Sequence, residues 1–210
     1  MNLWLAFPGM GDMSRAMAKA AGGAVDDIDV HRFPDGESLV TLPETCEGAD
    51  VVIVATLHDP DRLALPLRFA AATARELGAR SVGLVAPYLA YMRQDRRFAP
   101  GQAVSAPLFA RFLEESFDWL VTADPHLHRI GTLADIFAIP ARAVETAPLV
   151  AAWIRANVPD TVLLGPDSES RQWVGEVARL AGRPFEVLEK VRRGDRDVNV
   201  STPQSEALRS

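Results

Sequence analysis

Apolar runs of strand length, separated by segments with helical spacing, constrain this chain more than any other feature. The runs Val51–Leu57 and Val82–Ala86 lack the polar alternation of a strand that is exposed on one face. Strands that are covered on both faces of a parallel sheet have this composition. Between the two runs, the apolar residues of Asp61–Leu77 recur at helical spacing as far as Gly78, which suits the end of a helix. The alternation predicts an α/β fold built on a doubly wound sheet.

The same periodicities predict the remaining elements. Predicted strands are Leu3–Phe7, Asp29–Phe33, Leu39–Leu42, Trp119–Thr122, Thr161–Leu164 and Phe185–Leu188, and predicted helices are Asp12–Ala21, Ser105–Glu115, Pro148–Ala156 and Ser168–Leu180. The strand–helix order restarts after Ile139–Pro140, so we expect two α/β domains, residues 1–143 and residues 144–210. The second has two or three strands in about 65 residues and would expose much of one side of its core, so we expect it to be either completed by another chain or truncated.

Charge and cysteine content restrict the class of partner. A net charge of −6 disfavours bulk binding to nucleic acid. The N-terminal residues lack the basic segment of a signal peptide, and no run reaches the roughly 18 apolar residues of a membrane span. Cys46 is the single cysteine, which excludes an internal disulfide and fits a reducing compartment. We therefore expect a cytoplasmic protein that binds neither nucleic acid nor a membrane.

A cluster of aromatic and basic residues, Pro87–Arg97, directly follows the apolar run Val82–Ala86. Tyrosine faces can stack on a flat ring, and the guanidinium of Arg93 can bind phosphate oxygens with two parallel hydrogen bonds. Gln94 can read the edge of a base, and Asp95 follows it in the sequence. Since α/β sheets bind ligands at the carboxyl ends of their strands, the cluster predicts a nucleotide or phosphate ligand.

Two acidic segments also follow predicted strands. Asp124–His128 offers a carboxylate and two imidazoles, but zinc would require further ligands, so Mg²⁺ shared with phosphates suits the segment better. Asp167 follows the strand Thr161–Leu164 and can hold a metal directly or through water. The structural alternatives are a plain loop for the first segment and a capped helix start, with Ser168 as N-cap, for the second.

Three other segments carry possible site residues. Phe33–Glu37 has the composition of a hairpin turn and presents an aromatic ring with two carboxylates. The charged segment Lys190–Asp197 is typical either of a solvated loop or of one that closes over a transferring phosphoryl group. Gly9–Ser14 matches only part of a dinucleotide-binding fingerprint, so a nucleotide-dependent oxidoreductase is a weak alternative.

Six motifs, in order along the chain, resemble those of the ribose-phosphate pyrophosphokinases, also called phosphoribosyl pyrophosphate synthetases. They are Phe33–Glu37 (F-x-D-G-E), Tyr88–Arg96 (Y-x-x-Y-x-R-Q-D-R), Gly101–Ala106 (G-E-P-I-S-A), Asp124–His126 (D-L-H), Pro166–Arg171 (S-P-D-x-G-G-x-x-R) and Lys190–Arg192 (K-x-R). The resemblance implies two phosphoribosyltransferase-like domains. It also implies Mg²⁺-dependent transfer of the β,γ-diphosphoryl group of ATP to the 1-hydroxyl of ribose 5-phosphate.

The resemblance assigns roles to individual residues by their matching positions. Those implied for ATP are Phe33, Asp35, Glu37, Arg93, Gln94 and Asp95, those for Mg²⁺ are His126 and Asp167, and the catalytic ones are Lys190 and Arg192. The first three would reach the adenine from a neighbouring subunit. The resemblance therefore implies a homo-oligomer, a dimer or a hexamer, with ATP and ribose 5-phosphate as substrates.

The chain departs from the family's pattern in several places, of which two bear most directly on function. No D-D-x-x-x-T-G-G-T turn, which binds ribose 5-phosphate in the family, occurs in the 210 residues. We therefore expect a truncated enzyme whose 210-residue chain has little or no activity alone. The alternative is a non-catalytic relative that binds ATP or assembles with active subunits. Glu47–Ala49 replaces the Arg-Gly pair of the regulatory phosphate site, so the usual phosphate activation and ADP inhibition are not expected.

Overall fold

The chain forms two compact units, Met1–Val144 and Glu145–Ser210. The structure, a computed structural model, describes residues 1–158, 160–188, 190–192 and 198–200. The division falls one residue from the expected boundary. That the units are phosphoribosyltransferase-like domains, the second one incomplete, stays a prediction.

The first unit is built on a six-stranded sheet in which every strand pair is parallel. Its elements are β1 (Asn2–Ala6), α1 (Gly11–Ala21), β2 (Ala24–Asp27), β3 (Asp29–Arg32), β4 (Ser38–Thr41), β5 (Asp50–Val54), α2 (Pro60–Glu76), β6 (Ser81–Ala86), α3 (Ser105–Glu114), β7 (Trp119–Ala123) and β8 (Ala141–Val144). The strand order is β2-β1-β5-β6-β7-β8, while β3 and β4 form a separate antiparallel hairpin. The predicted α/β fold with a parallel sheet is confirmed.

The central strands are buried on both faces, which explains their uninterrupted apolar composition. On one face, Val51 and Ile53 of β5 belong to the larger core, which also includes Leu67 and the buried alanines of α2. On the other face, Val52 and Val54 belong to a smaller core together with Trp4 and Ala18 of α1. The alanines of α2 present little side-chain volume, so the helix can lie close to the sheet.

A glycine in β6 leaves room for a large side chain on the face of the sheet that carries the smaller core. Gly83 pairs with Trp119 of β7 in the parallel register. A Cβ atom built on Gly83 would lie 2.0 Å from two atoms of the Trp119 indole ring. The indole therefore occupies the space that any other residue at position 83 would need.

The second unit contains shorter elements. They are α4 (Ala147–Asn157), β9 (Leu163–Gly165), α5 (Arg171–Ala181), β10 (Phe185–Val187), β11 (Lys190–Arg192) and β12 (Val198–Val200). The pair β9 and β10 is parallel, and the pair β11 and β12 is antiparallel. Its core is a small cluster from the two helices, in which Ala151 and Ile154 of α4 lie with Val177 and Ala181 of α5.

Several predicted boundaries differ from the observed ones for identifiable reasons. The edge strands β2 and β8 were not predicted because the sequences AVDD and ARAV carry charged and exposed residues instead of an apolar run. The helix predicted from Ser168 begins at Arg171, after a 3₁₀ turn over Ser168–Ser170. Among the described residues, no helix combines the length and apolar character that crossing a membrane would need.

A salt bridge fixes the start of β5 against the start of β6. The Arg80 guanidinium donates to both carboxylate oxygens of Asp50, and the Ser81 hydroxyl donates to Oδ1 over 2.8 Å. These hydrogen bonds, first that from Arg80 and then that from Ser81, lower the pKa of Asp50 to about 2. The carboxylate is thus stabilised in its ionised form.

Replacing Arg80 by alanine is expected to flatten the acid dependence of stability. The pKa of Asp50 is lower in the folded state than its ordinary value of 3.8. The stability that the Asp50 carboxylate contributes is therefore fully present above pH 3.8 and is lost as the pH falls through about 2. The difference in unfolding free energy between wild type and Arg80→Ala should therefore be largest above about pH 4 and shrink towards pH 2. Urea unfolding across this range measures it, and a difference that stays constant with pH would contradict the assignment.

Candidate functional site

Two of the predicted site segments meet at one edge of the sheet. Strands β6 and β7 are parallel neighbours, with Ala86 opposite Thr122. The chain leaves β6 into the segment 87–97 and leaves β7 into the segment 124–132, so both follow the carboxyl ends of adjacent strands. Ligands of open α/β sheets bind at this edge. The hairpin turn Phe33–Glu37, in contrast, lies outside the sheet, and Asp167, Lys190 and Arg192 belong to the second unit.

The segment after β6 turns sharply at Tyr91, whose backbone has a left-handed φ of 65°. Its hydroxyl donates to the carboxylate of Asp61, and its ring packs on Phe109 with the centroids 4.8 Å apart. The hydrogen bond to Asp61, then burial, raises the pKa of Tyr91. Tyr91 is thus half-buried and lines an open pocket of about 310 Å³ between α2 and α3. Of the two tyrosines, Tyr88 is the exposed one.

The backbone around Gln94 is held at both ends. Its amide N–H donates to the Tyr91 carbonyl over 3.0 Å, and its carbonyl accepts from the Ala106 amide in the first turn of α3. The side chains of Arg93 and Gln94 are exposed. Because the backbone is already fixed, binding an anionic ligand would require only the two exposed side chains to become ordered.

Asp95 differs from its two neighbours. Its side chain is 1% exposed, and both carboxylate oxygens accept from Nη1 of Arg129, at 3.0 and 3.2 Å. Arg129 belongs to the segment after β7, so this pair joins the two segments. The predicted contact of Asp95 with ATP stays a prediction, and the observed partner of its carboxylate is Arg129.

The segment after β7 places His126 beside His128. Their rings stack with centroids 6.1 Å apart and an angle of 18° between the planes. The segment starts at Asp124, whose φ of 39° is left-handed and whose amide donates to the Val144 carbonyl. Leu127 packs against the larger core, so the histidines are carried by an anchored loop.

The hairpin turn between β3 and β4 exposes the three residues predicted to bind adenine. The Phe33 amide donates to the Glu37 carbonyl over 2.9 Å, and the Glu37 amide donates to the Asp35 carboxylate over 3.1 Å. The ring of Phe33 is 41% exposed and meets His31 edge to face, with centroids 4.8 Å apart. Arg32 donates to the Arg62 carbonyl of α2, which fixes the hairpin against its own unit.

In the second unit, Asp167 rather than Ser168 caps the helical segment, so that part of the sequence interpretation was wrong. Its carboxylate accepts from the Ser170 amide over 3.1 Å, and the Ser170 hydroxyl donates back to the Asp167 carbonyl over 2.5 Å. Asp and Ser are comparable N-cap residues, so the sequence alone did not decide between the two positions. Lys190 and Arg192 lie on β11, not in a loop, and residues 193–197 of the predicted loop lie outside the described residues.

The predicted Mg²⁺ ligands do not form a closed protein site. Across the described part of the chain, no group of three or more His, Cys, Asp or Glu side chains is placed to hold a metal. Mg²⁺ commonly takes one or two protein ligands and completes its shell with water and substrate phosphates. The imidazole of His126 in the first unit and the carboxylate of Asp167 in the second are each donors of a kind that such an ion can take, and their assignment to Mg²⁺ stays a prediction.

Sequence reasoning missed Arg129 and the Tyr91–Asp61 hydrogen bond. Arginine is the default cation of this chain, so nothing in the composition distinguishes Arg129 from the other arginines. Asp61 lies 30 residues from Tyr91, at the start of α2, and only the folded sheet brings the two together.

Comparison with known proteins supports the motif assignments at the level of the family. Residues 6–116, more than half of the chain, match the profile of the N-terminal domain of ribose phosphate pyrophosphokinase. The chain is 35% identical over 190 residues to ribose-phosphate pyrophosphokinase of Methanopyrus kandleri, covering 90% of this chain and 64% of that protein. It is 37% identical over 189 residues to the Halobacterium salinarum protein of the same name, covering 90% and 66%.

The fold also matches a solved structure. Phosphoribosylpyrophosphate synthetase from Mycobacterium smegmatis superposes with a TM-score of 0.73 at 22% identity, covering 96% of this chain and 67% of that one. At this identity the match establishes the fold alone. The chain spans about two thirds of the length of the curated relatives it matches. The match over residues 6–116 shows that the chain belongs to the ribose-phosphate pyrophosphokinase family.

Proposed function

We propose that the protein transfers the β,γ-diphosphoryl group of ATP to the 1-hydroxyl of ribose 5-phosphate. A bond forms between the sugar oxygen and the β-phosphorus, the bond between the β-phosphorus and the α,β-bridging oxygen breaks, and the hydroxyl proton is released. The products are phosphoribosyl pyrophosphate and AMP. Family membership supports the reaction, and the observation that carries it to this site is the meeting of the Arg93–Gln94 segment with the His126 loop at one sheet edge.

The exposed groups at this edge suit the triphosphate. The guanidinium of Arg93 can bind two phosphate oxygens at once, and the Gln94 amide can donate to a third. The Gln94 backbone is held by hydrogen bonds to Tyr91 and Ala106, and the side chains of Arg93 and Gln94 are both exposed. His126 would hold Mg²⁺ from the neighbouring loop, and the resemblance to the family also assigns Mg²⁺ binding to Asp167. When bound, Mg²⁺ neutralises phosphate charge and polarises the phosphorus that is attacked.

Lys190 and Arg192 would stabilise the charge that develops on the transferring group. Phosphoryl transfer requires little covalent chemistry from the protein, so positioning and cationic stabilisation account for most of the rate acceleration.

The exposed hairpin residues suit adenine contacts across a subunit boundary in a homo-oligomer. Phe33, Asp35 and Glu37 are exposed at a hairpin tip that is fixed to α2 of its own unit by Arg32. An exposed ring and two carboxylates at such a tip can stack on a purine and accept from its amino group. We assign these contacts to a nucleotide bound by a second subunit.

Turnover by the protein expressed from its complete reading frame tests the reaction. AMP and phosphoribosyl pyrophosphate should form in equal amounts, and only when ATP, Mg²⁺ and ribose 5-phosphate are all present. Phosphorus NMR measures both products in one sample. AMP that forms equally without ribose 5-phosphate would identify a hydrolase instead. ATP binding without any turnover would identify a non-catalytic relative.

A further inference from the structure

A buried carboxylate needs a partner, and Asp95 has one. With 1% of its side chain exposed, the ionised carboxylate has lost almost all contact with water, and its loss of hydration must be offset by a cation or by hydrogen-bond donors. Arg129 supplies both, through hydrogen bonds of 3.0 and 3.2 Å to the two oxygens. The Arg129 side chain is itself 40% exposed, so the guanidinium side of the pair reaches solvent while the carboxylate is buried.

The two partners lie in different loops of the first unit. Asp95 directly follows Gln94, whose backbone is fixed by Tyr91 and by the first turn of α3. Arg129 lies three residues after His126, between Leu127 and Ile130, which both pack against the larger core. The pair therefore ties the loop that carries His126 to the segment that carries Arg93 and Gln94.

The same burial argues against a direct contact between Asp95 and ATP. A carboxylate that faced a triphosphate would repel it, whereas this one is turned away from solvent and neutralised by a guanidinium. Interactions one layer behind the ligand-binding groups fix the orientation of those groups. Asp95 and Arg129 have the placement that such a role requires.

We propose that Asp95 and Arg129 are positioning residues, a strut that sets the spacing between the His126 loop and the Arg93–Gln94 segment. Neither residue touches the nucleotide, and the pair affects binding only through the positions of His126, Arg93 and Gln94. The inference rests on the proposed function, since it is the Mg²⁺–ATP complex that would need both segments at a fixed spacing.

Nucleotide binding to the protein from its complete reading frame tests the strut. The ligand is α,β-methylene ATP, which cannot transfer its diphosphoryl group, and calorimetric titrations are run at several Mg²⁺ concentrations. Arg129→Ala and Asp95→Asn are each expected to raise the Mg²⁺ concentration for half-maximal binding by about 10- to 100-fold, the usual effect of removing a supporting group. Arg129→Lys, which keeps the charge, should recover part of the loss.

Two comparisons separate positioning from other roles. The double variant Asp95→Asn with Arg129→Ala should bind no more weakly than the weaker single variant, because both changes break one interaction. Arg68→Ala is the matched control, since Arg68 also has 40% of its side chain exposed and is also paired, with Glu115. It should leave binding unchanged. Without nucleotide, amide hydrogen exchange should accelerate in residues 124–130 of the Arg129→Ala protein.

The outcomes are distinct. Additive losses in the double variant would mean that Asp95 contacts the nucleotide independently, which overturns the inference. Unchanged binding with a lowered melting temperature would mean a purely structural pair and would also overturn it. If Arg129→Ala fails to fold, the nearly isosteric Asp95→Asn protein gives the same comparison. A wild-type protein that binds no ATP overturns the proposed function itself, whereas normal wild-type binding with unaffected variants overturns the strut alone.

Discussion

Replacing Lys190 by alanine is expected to lower the rate of AMP formation by about 10²- to 10³-fold, the usual effect of removing one group that stabilises transition-state charge. ATP binding should change much less, because the charge that Lys190 stabilises develops mainly during transfer. The comparison is therefore between kcat and the dissociation constant for α,β-methylene ATP. Both are measured on the protein from its complete reading frame.

The chain supplies its own control for this experiment. Lys19, in the last turn of α1, is the only other lysine in the sequence, and it is exposed. Lys19→Ala removes the same charge and should leave both constants unchanged. AMP formation that is unaffected by Lys190→Ala would contradict the catalytic role assigned to that residue. A loss of ATP binding equal to the loss in rate would assign Lys190 to ground-state binding instead.

Replacing Gly83 by alanine is expected to destabilise the protein by about 3 kcal/mol, at the upper end of the usual cost of overpacking a core. The added Cβ would lie 2.0 Å from the Trp119 indole, so the ring must move off β6 or the two strands must separate. Neither is easy, since Gly83 and Trp119 are paired in the register of adjacent strands. Urea unfolding followed by circular dichroism measures the change in free energy of unfolding.

Two further variants test the cause of this loss. Trp119→Val combined with Gly83→Ala should be less destabilised than the sum of the two single changes, because the smaller side chain removes the clash. Gly11→Ala is the control variant, since the three atoms nearest to a Cβ at this position all belong to the flexible Arg15 guanidinium. It should change stability by less than about 0.5 kcal/mol. Strict additivity of the Gly83 and Trp119 changes would refute the steric explanation.

The buried elements could be predicted from the sequence, and the edge elements could not. The apolar run at Val51 marked a central strand because both of its faces are covered, so almost every position had to be apolar. At β8 the sheet ends, Arg142 and Val144 are exposed, and the sequence ARAV carries no comparable pattern. Boundary errors near Asp167 have a similar origin, because a carboxylate and a hydroxyl can both cap a helix and only the geometry decides.

For the candidate site, residue types could be predicted more readily than partners. The sequence pointed to Arg93, Gln94 and Asp95 as one group, since they are adjacent and follow an apolar strand. In the structure, two of them are exposed and the third is buried against Arg129, 34 residues later. The distinction depends on the pairing of β6 with β7, which is a long-range property that local sequence does not encode.

That pairing also bears on how this site can change over evolutionary time. The contact between Gly83 and Trp119 fixes how β6 and β7 lie together, and those two strands carry the Arg93–Gln94 segment and the His126 loop. A substitution at either position would therefore alter the distance between the two loops that we propose bind ATP, without replacing any residue in them. Under that proposal, selection for ATP binding also acts on Gly83, a residue in the middle of the sheet.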